Sequence, residues 1–222
     1  MTRVTTTLAA AAFAASAAIS APAPPPAAQA PGAKPAQAPL GPNQWRIDGS
    51  HSAANFAVRH LMVSTVRGRL GPISGTIEYD GKDVRAVKAD VTIDVTGIDT
   101  QNEKRDGHLR SADFFDAASH GHITFKSKRA EPGSGGAFKL IGDLTIRGTT
   151  KEVTLDVEAP SPIVKGQRGL VTGTTATTRI RRLEYGLKYN SMVEAGPVVG
   201  DEVTITIDLE IGRPSPPGTA LP

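Results

Sequence analysis

Val203-Thr204-Ile205-Thr206-Ile207-Asp208-Leu209-Glu210-Ile211 alternates apolar and polar side chains without a break. Successive side chains of a β-strand point to opposite faces, so this stretch reads as a strand with one buried and one wet face. Val153, Leu155 and Val157 repeat the pattern against Glu152, Thr154, Asp156 and Glu158. Weaker alternation runs through Phe56 and Val58, Ile73 to Tyr79, Val87 to Val95, Ile123 and Phe125, and Phe138 to Ile146. Between these runs lie Asp80-Gly81, Pro132-Gly133-Ser134-Gly135-Gly136 and Arg147-Gly148-Thr149-Thr150, which are turn chemistry. Short connections of this kind imply an antiparallel meander. About eight strands with one apolar face must cover that face, either by stacking a second sheet or by closing into a barrel, and closure also removes the exposed edges. Inward positions are mostly Val, Ile, Leu, Ala and Gly, and aromatic residues make up only 5% of the chain. Few large groups are available to fill the interior, which favours a barrel with a cavity, reached by side chains such as Ala54 and Val91. A two-sheet sandwich with an aliphatic core fits the same alternation.

One segment breaks the period. Asp99 to Asp116 is polar and ends in Phe114-Phe115, and within it Thr100-Gln101-Asn102-Glu103 has the form of a capping box. The spacing predicts a helix beginning near Gln101, a short insert anchored on the barrel by Phe114 and Phe115 and lying across one end as a lid.

The ends differ in character. Met1 to Ser20 carries a single charge at Arg3 and an apolar run from Leu8 to Ile19, the pattern of a secretory signal with cleavage near residue 20 or as late as residue 30. That run is shorter than the about 20 apolar residues a membrane span needs. Residues 21–44 are rich in Pro and Ala and read as a linker, residues 45–213 as the folded unit, and residues 214–222 as a disordered tail.

The 25 Lys and Arg against 22 Asp and Glu leave a net charge of +3, with the basic residues scattered, so no nucleic-acid footprint forms. The absence of cysteine removes disulfides, thiolate metal sites and thiol catalysis together. His120 and His122, with His51, His60 or His108, offer donors for a zinc ion in a metal-dependent hydrolase. Against that, the chain holds no His-Glu-x-x-His, no Gly-x-Ser-x-Gly and no glycine-rich phosphate loop. The expectation is therefore a protein that is not an enzyme and carries no cofactor. A docking module with a solid core is the remaining alternative.

Trp45-Arg46-Ile47-Asp48-Gly49-Ser50-His51-Ser52, Phe56-Ala57-Val58-Arg59-His60-Leu61-Met62, Arg105 to Asp116, Gly142-Asp143-Leu144-Thr145-Ile146-Arg147-Gly148 and Val199-Gly200-Asp201-Glu202-Val203 together resemble the YceI-like family, in order and spacing over nearly all of Trp45 to Gly212. Members generally carry Tyr-Pro before the strand that begins here at Ile123, where this chain has His120-Gly121-His122. The resemblance implies an extended lipocalin-like antiparallel barrel whose apolar tunnel holds a polyisoprenoid, such as a prenyl quinone or prenyl diphosphate, in a periplasmic or secreted carrier. A membrane surface or membrane redox protein in transient contact, and a second copy of the chain in a homodimer, are further expected partners.

Buried methylenes are worth about 0.8 kcal/mol each, so wall contacts supply affinity and the head group must supply specificity. Candidate ligand-binding residues are His51, Phe56, His60, Arg105, Asp106, His108, Phe115, Arg182 and Tyr185. Each has a structural reading beside the functional one. Arg105 and Asp106 fit an architectural pairing within the insert, His60 fits an imidazole bonded to a carbonyl, His51 with Asp48 fits a turn, and the run Arg179 to Glu184 fits solvated strand charges.

Overall fold

The computed structural model describes residues 39–190, 192–193 and 196–214. The expected signal peptide, most of the linker and nearly all of the tail lie outside these residues. Thirteen strands and one helix follow in chain order: β1 (Gln44–Ile47), β2 (Ala53–His60), β3 (Ser64–Arg69), β4 (Ile73–Glu78), β5 (Lys88–Asp94), α1 (Glu103–Arg110), β6 (His122–Pro132), β7 (Phe138–Ile146), β8 (Thr149–Val157), β9 (Val164–Gly166), β10 (Gly169–Arg181), β11 (Met192–Val193), β12 (Gly196–Pro197) and β13 (Val199–Arg213).

Eight of them close a ring of antiparallel neighbours in the order β1, β4, β5, β6, β7, β8, β10, β13 and back to β1. The sandwich alternative is thereby excluded. Closure falls to β13, whose fifteen residues pair with β10 along one edge. Its other edge pairs with β2 from Val199 to Asp208 and then with β1 at Ile211 and Gly212. The β2–β3 hairpin therefore continues the wall beyond β1 and β4 and lengthens the barrel at one end. Leu155, Val157, Ala176, Ile205 and Ile211 are buried on the inner face as the alternation requires, and Ala89, Val91, Ile93, Ile123 and Phe125 complete the wall opposite.

One seam is thin. β8 and β10 share only the pairs Ala176↔Val157 and Thr177↔Asp156, whereas β10 and β13 are in register from Leu170↔Arg213 to Arg181↔Glu202. Beyond Thr178 the two strands splay, and Val153, Arg179 and Tyr185 line the gap between them.

The polar insert crosses the end that β2 and β3 extend. Its helix is α1, and its first turn is held by the Asn102 side chain, which accepts from the Arg105 amide at 3.0 Å. The capping box at Thr100 does not form. Gln101 sits at φ 61°, which no helical residue adopts, so the helix starts after it. The Thr100 hydroxyl turns inward to bond the Asp106 carboxylate instead.

Candidate functional site

The barrel encloses two apolar chambers placed end to end. The first, of ≈ 100 Å³, has an apolar wall that includes Val91, Phe125, Leu140, Leu155 and Ile211. The second, of ≈ 260 Å³, lies under the insert and is bounded by Phe56, Val58, Leu109, Phe114, Phe115 and Ile180 among others. Leu70, Ile123 and Ile205 face both, so they form the waist between the chambers. Phe56 can lie along this wall because Gly68 opposes it across the β2–β3 ladder. A Cβ at Gly68 would stand 2.6 Å from the Phe56 ring and 2.7 Å from the Thr100 methyl.

Polar groups reach the second chamber and not the first. On α1, Arg105 donates from Nε to the Thr100 hydroxyl at 2.7 Å and from Nη2 to the Thr100 carbonyl at 2.8 Å. Asp106 is buried and accepts from the Thr100 amide at 2.9 Å as well as from its hydroxyl. Thr100 thus joins both side chains of the helix to the chain that precedes it. His108 sits 2.8 Å from Asp113 through Nε2, and its ring packs edge-on against Phe114 and Tyr189, with centroids at 5.1 and 4.5 Å.

Two arginines pin the loops around this end. Arg182, 3% exposed, donates to the carbonyls of Gly200 at 2.7 Å, Tyr189 at 2.9 Å, Val199 at 3.0 Å and Leu187. Burial pulls its pKa below the ordinary arginine value. Arg147, in the β7–β8 turn, donates to Phe114 at 2.8 Å, Gly186 at 2.9 Å and Ala112 at 2.7 Å, tying the insert to the wall. The bidentate reach of guanidinium suits it to gathering several carbonyls at once.

A YceI-like domain model matches residues 45–211, which is most of the chain and nearly all of the barrel just described. The chain belongs to the YceI-like family. It is 40% identical over 157 residues to a UPF0312 protein of Staphylococcus aureus, covering 69% of this chain and 87% of that relative. Among solved structures, Burkholderia cenocepacia BcnA superposes with a TM-score of 0.64 at 22% identity, over 74% of this chain and 98% of that one. A structure from Saccharophagus degradans, described as a polyisoprenoid binding domain implicated in plant cell wall breakdown, gives 0.57 at 17% identity, over 77% and 98%. At these identities the two structures speak to the fold, a lipocalin-like barrel.

Within this YceI-like barrel the residues singled out in the sequence separate into two groups. Phe56, His60, Arg105, His108, Phe115 and Arg182 all line the second chamber. His51, Asp106 and Tyr185 line neither chamber. His51 is on the outer surface in the turn after β1, 3.1 Å from Asp48 and 3.5 Å from Glu210. Asp106 faces Thr100, and Tyr185, 2% exposed with its pKa pushed up to about 12 by burial, borders the gap between β8 and β10. The reading of Arg182 as a solvated strand charge is corrected. The short 3-10 turn Arg182–Tyr185 ends the strand alternation after Arg181 and rotates the guanidinium inward.

Arg59, Leu187 and Tyr189 also line the second chamber and were missed in the sequence, as was the clasp by Arg147. Tyr189 follows an irregular Gly186-Leu187-Lys188 stretch with no period to place it. Arg147 stands in a recognisable turn whose left-handed φ of 47° directs its side chain back to the insert, which sequence alone does not disclose. His120 and His122 do not converge on a further ligand. Among the described residues, Asp48, His51 and Glu210 form the one group of three potential metal-binding side chains, and it is open to solvent.

Proposed function

We propose that this protein is an exported carrier that binds one polyisoprenoid lipid, with the prenyl chain running through the waist into the first chamber and the head group held in the second. The observation that supports this most is the division of the interior. A chamber of ≈ 100 Å³ with an apolar wall adjoins a larger one of ≈ 260 Å³ where cationic donors gather. An interior of this shape suits a slender hydrocarbon with a small polar terminus, and it differs from the solid core that a docking module needs. Family membership and the polyisoprenoid binding domain that shares the fold add to the reading.

The donor inventory narrows the head-group contacts. Arg182 has four of its five N–H groups committed to carbonyls, and His108 has Nε2 committed to Asp113. His60 and the Nη1 of Arg105 line the chamber without a hydrogen-bond partner among the described residues. These two are the foremost groups to meet a quinone carbonyl or a diphosphate oxygen. The chemistry assigned is binding, with no reaction step.

Native mass spectrometry tests the reading. The protein is produced in a bacterium rich in long prenyl quinones, purified without detergent, and its bound lipids are extracted and identified. A stoichiometric prenyl species is expected. An empty protein that also fails to take up added prenyl quinone would refute the carrier function.

A further inference from the structure

The tip of the β2–β3 hairpin exposes apolar surface that nothing in the described structure covers. Met62 is 50% exposed and Val63 76% exposed, and both are large side chains at the very end of the barrel. The tip is built to hold them there. Leu61 and Met62 both take left-handed backbone, at φ 49° and 58°, a strained choice for residues with a side chain. The Arg59 guanidinium donates to the Met62 carbonyl at 2.6 Å and to the Thr65 hydroxyl at 3.1 Å, and the Leu61 amide donates to the Val198 carbonyl at 2.9 Å.

Charge and position point to one occupant. In the β2–β3 register Arg59 opposes Thr65 and Arg67 opposes Ala57, on the strand face opposite Val58 and Val66, which line the second chamber; Arg59 is exposed and also borders that chamber. Neither arginine has a carboxylate within ion-pair distance among the described residues. The apolar tip is far smaller than the about 800 Å² per partner that a stable protein interface buries. Two apolar side chains on a hairpin that carries two arginines without a carboxylate partner, beside the second chamber, instead match an anionic bilayer surface, where shallow insertion and charge attraction act together.

We infer that the β2–β3 tip docks this protein on anionic membranes, bringing the second chamber to the lipid surface. This rests on the carrier reading and adds the surface through which lipid is exchanged.

The chain has no cysteine, so Met62→Cys in the full-length protein takes an environment-sensitive fluorophore at one place. Val164→Cys is the control, since Val164 is also exposed, at 54%, but on β9 at the opposite end of β10. Mixed phosphatidylglycerol and phosphatidylethanolamine vesicles are expected to blue-shift and brighten the label at position 62 and to leave the label at 164 unchanged. Phosphatidylcholine vesicles are expected to act weakly on both. In the protein labelled at position 62, Val63→Asp should abolish the partitioning, and Arg67→Gln should weaken it about fivefold, the loss of one cation near the surface. No change at position 62, or an equal change at 164, overturns the inference. So does a change produced by unlabelled protein alone, which would make the tip a self-association surface. Loading of prenyl quinone from detergent micelles is measured on the same variants. Retained loading without vesicle contact removes the docking tip only, whereas lost loading in the unsubstituted protein removes the carrier function itself.

Discussion

Arg182 shows how much of this site depends on single side chains. Its guanidinium, buried and away from any carboxylate at bonding distance, joins the loop after the 3-10 turn (Leu187, Tyr189) to the start of β13 (Val199, Gly200) and so shapes one side of the second chamber. Arg182→Met keeps most of the volume and leaves those carbonyls facing apolar atoms. The expected cost is about 3 kcal/mol, the scale of a stranded buried polar group. It is read as a lower urea midpoint from the fluorescence of Trp45, which is the only tryptophan and is fully buried. An unchanged midpoint would show that water replaces the clasp. On the outer surface, the hydrogen bond that His51 donates to Asp48 and the charges of Asp48 and Glu210 raise the His51 pKa above 6.5, while the same hydrogen bond lowers that of Asp48 below 3.8. A raised histidine stabilises the fold below its unfolded pKa and loses this as pH rises through the folded value. A lowered aspartate stabilises it above its unfolded pKa and loses this as pH falls through the folded value. The pair is therefore fully effective between 3.8 and 6.5 and fades on either side. The His51 imidazole is expected to titrate in NMR above 6.5 and to move down in Asp48→Asn; a midpoint that ignores the substitution would remove the coupling.

At the level of elements, α1 owes its start to Asn102, so Asn102→Ala should cost about 1 kcal/mol through the lost cap. Thr100→Ala is expected to cost more than Asn102→Ala in the same urea series. It strips a buried hydroxyl that donates to Asp106 and accepts from Arg105, leaving a buried carboxylate short of a donor. The reverse order would restore the capping box. This helix marks the boundary of what the sequence discloses. The strands were legible because one face is buried and one is wet, so the period of two survives from Val203 to Ile211 and from Val153 to Val157. The cap was misread because Asp99 and Arg69 form an isolated bridge, which turns Thr100 inward just before the helix begins. Pairing at a distance was equally hidden. Nothing local in β13 states that it serves β1 and β2 in turn on one edge, or that β8 leaves β10 after two pairs. The chamber residues followed the same rule. His60 and Phe56 could be placed by alternation, whereas Tyr189 and Arg182 depend on irregular backbone that carries no period.

Over the whole molecule, the two chambers make chain length a structural variable. On the proposed carrier function, a short prenyl lipid would need only the second chamber, while a longer one would pass Leu70, Ile123 and Ile205 to reach the first. Blocking the first chamber should therefore change which lipid is bound before it abolishes binding. Val91 is the position for this test. It points into the first chamber from β5, is 7% exposed and takes no part in the second. Ala54, equally inward by pattern and fully buried, lines neither chamber, so a bulky residue there would strain the wall without plugging the tube. Val91→Trp is expected to fill the ≈ 100 Å³ chamber at an overpacking cost of about 1–3 kcal/mol. In competition between farnesyl and octaprenyl quinones, the unsubstituted protein should favour the longer chain, because each buried methylene adds about 0.8 kcal/mol. The variant should lose that preference and keep the farnesyl compound, with native mass spectrometry reporting the bound species and circular dichroism the fold. If a folded Val91→Trp still selected the octaprenyl chain, the lipid would have to leave the barrel elsewhere. The splayed gap between β8 and β10 then becomes the place to look, since the two strands share only two residue pairs and a surface depression lies between them.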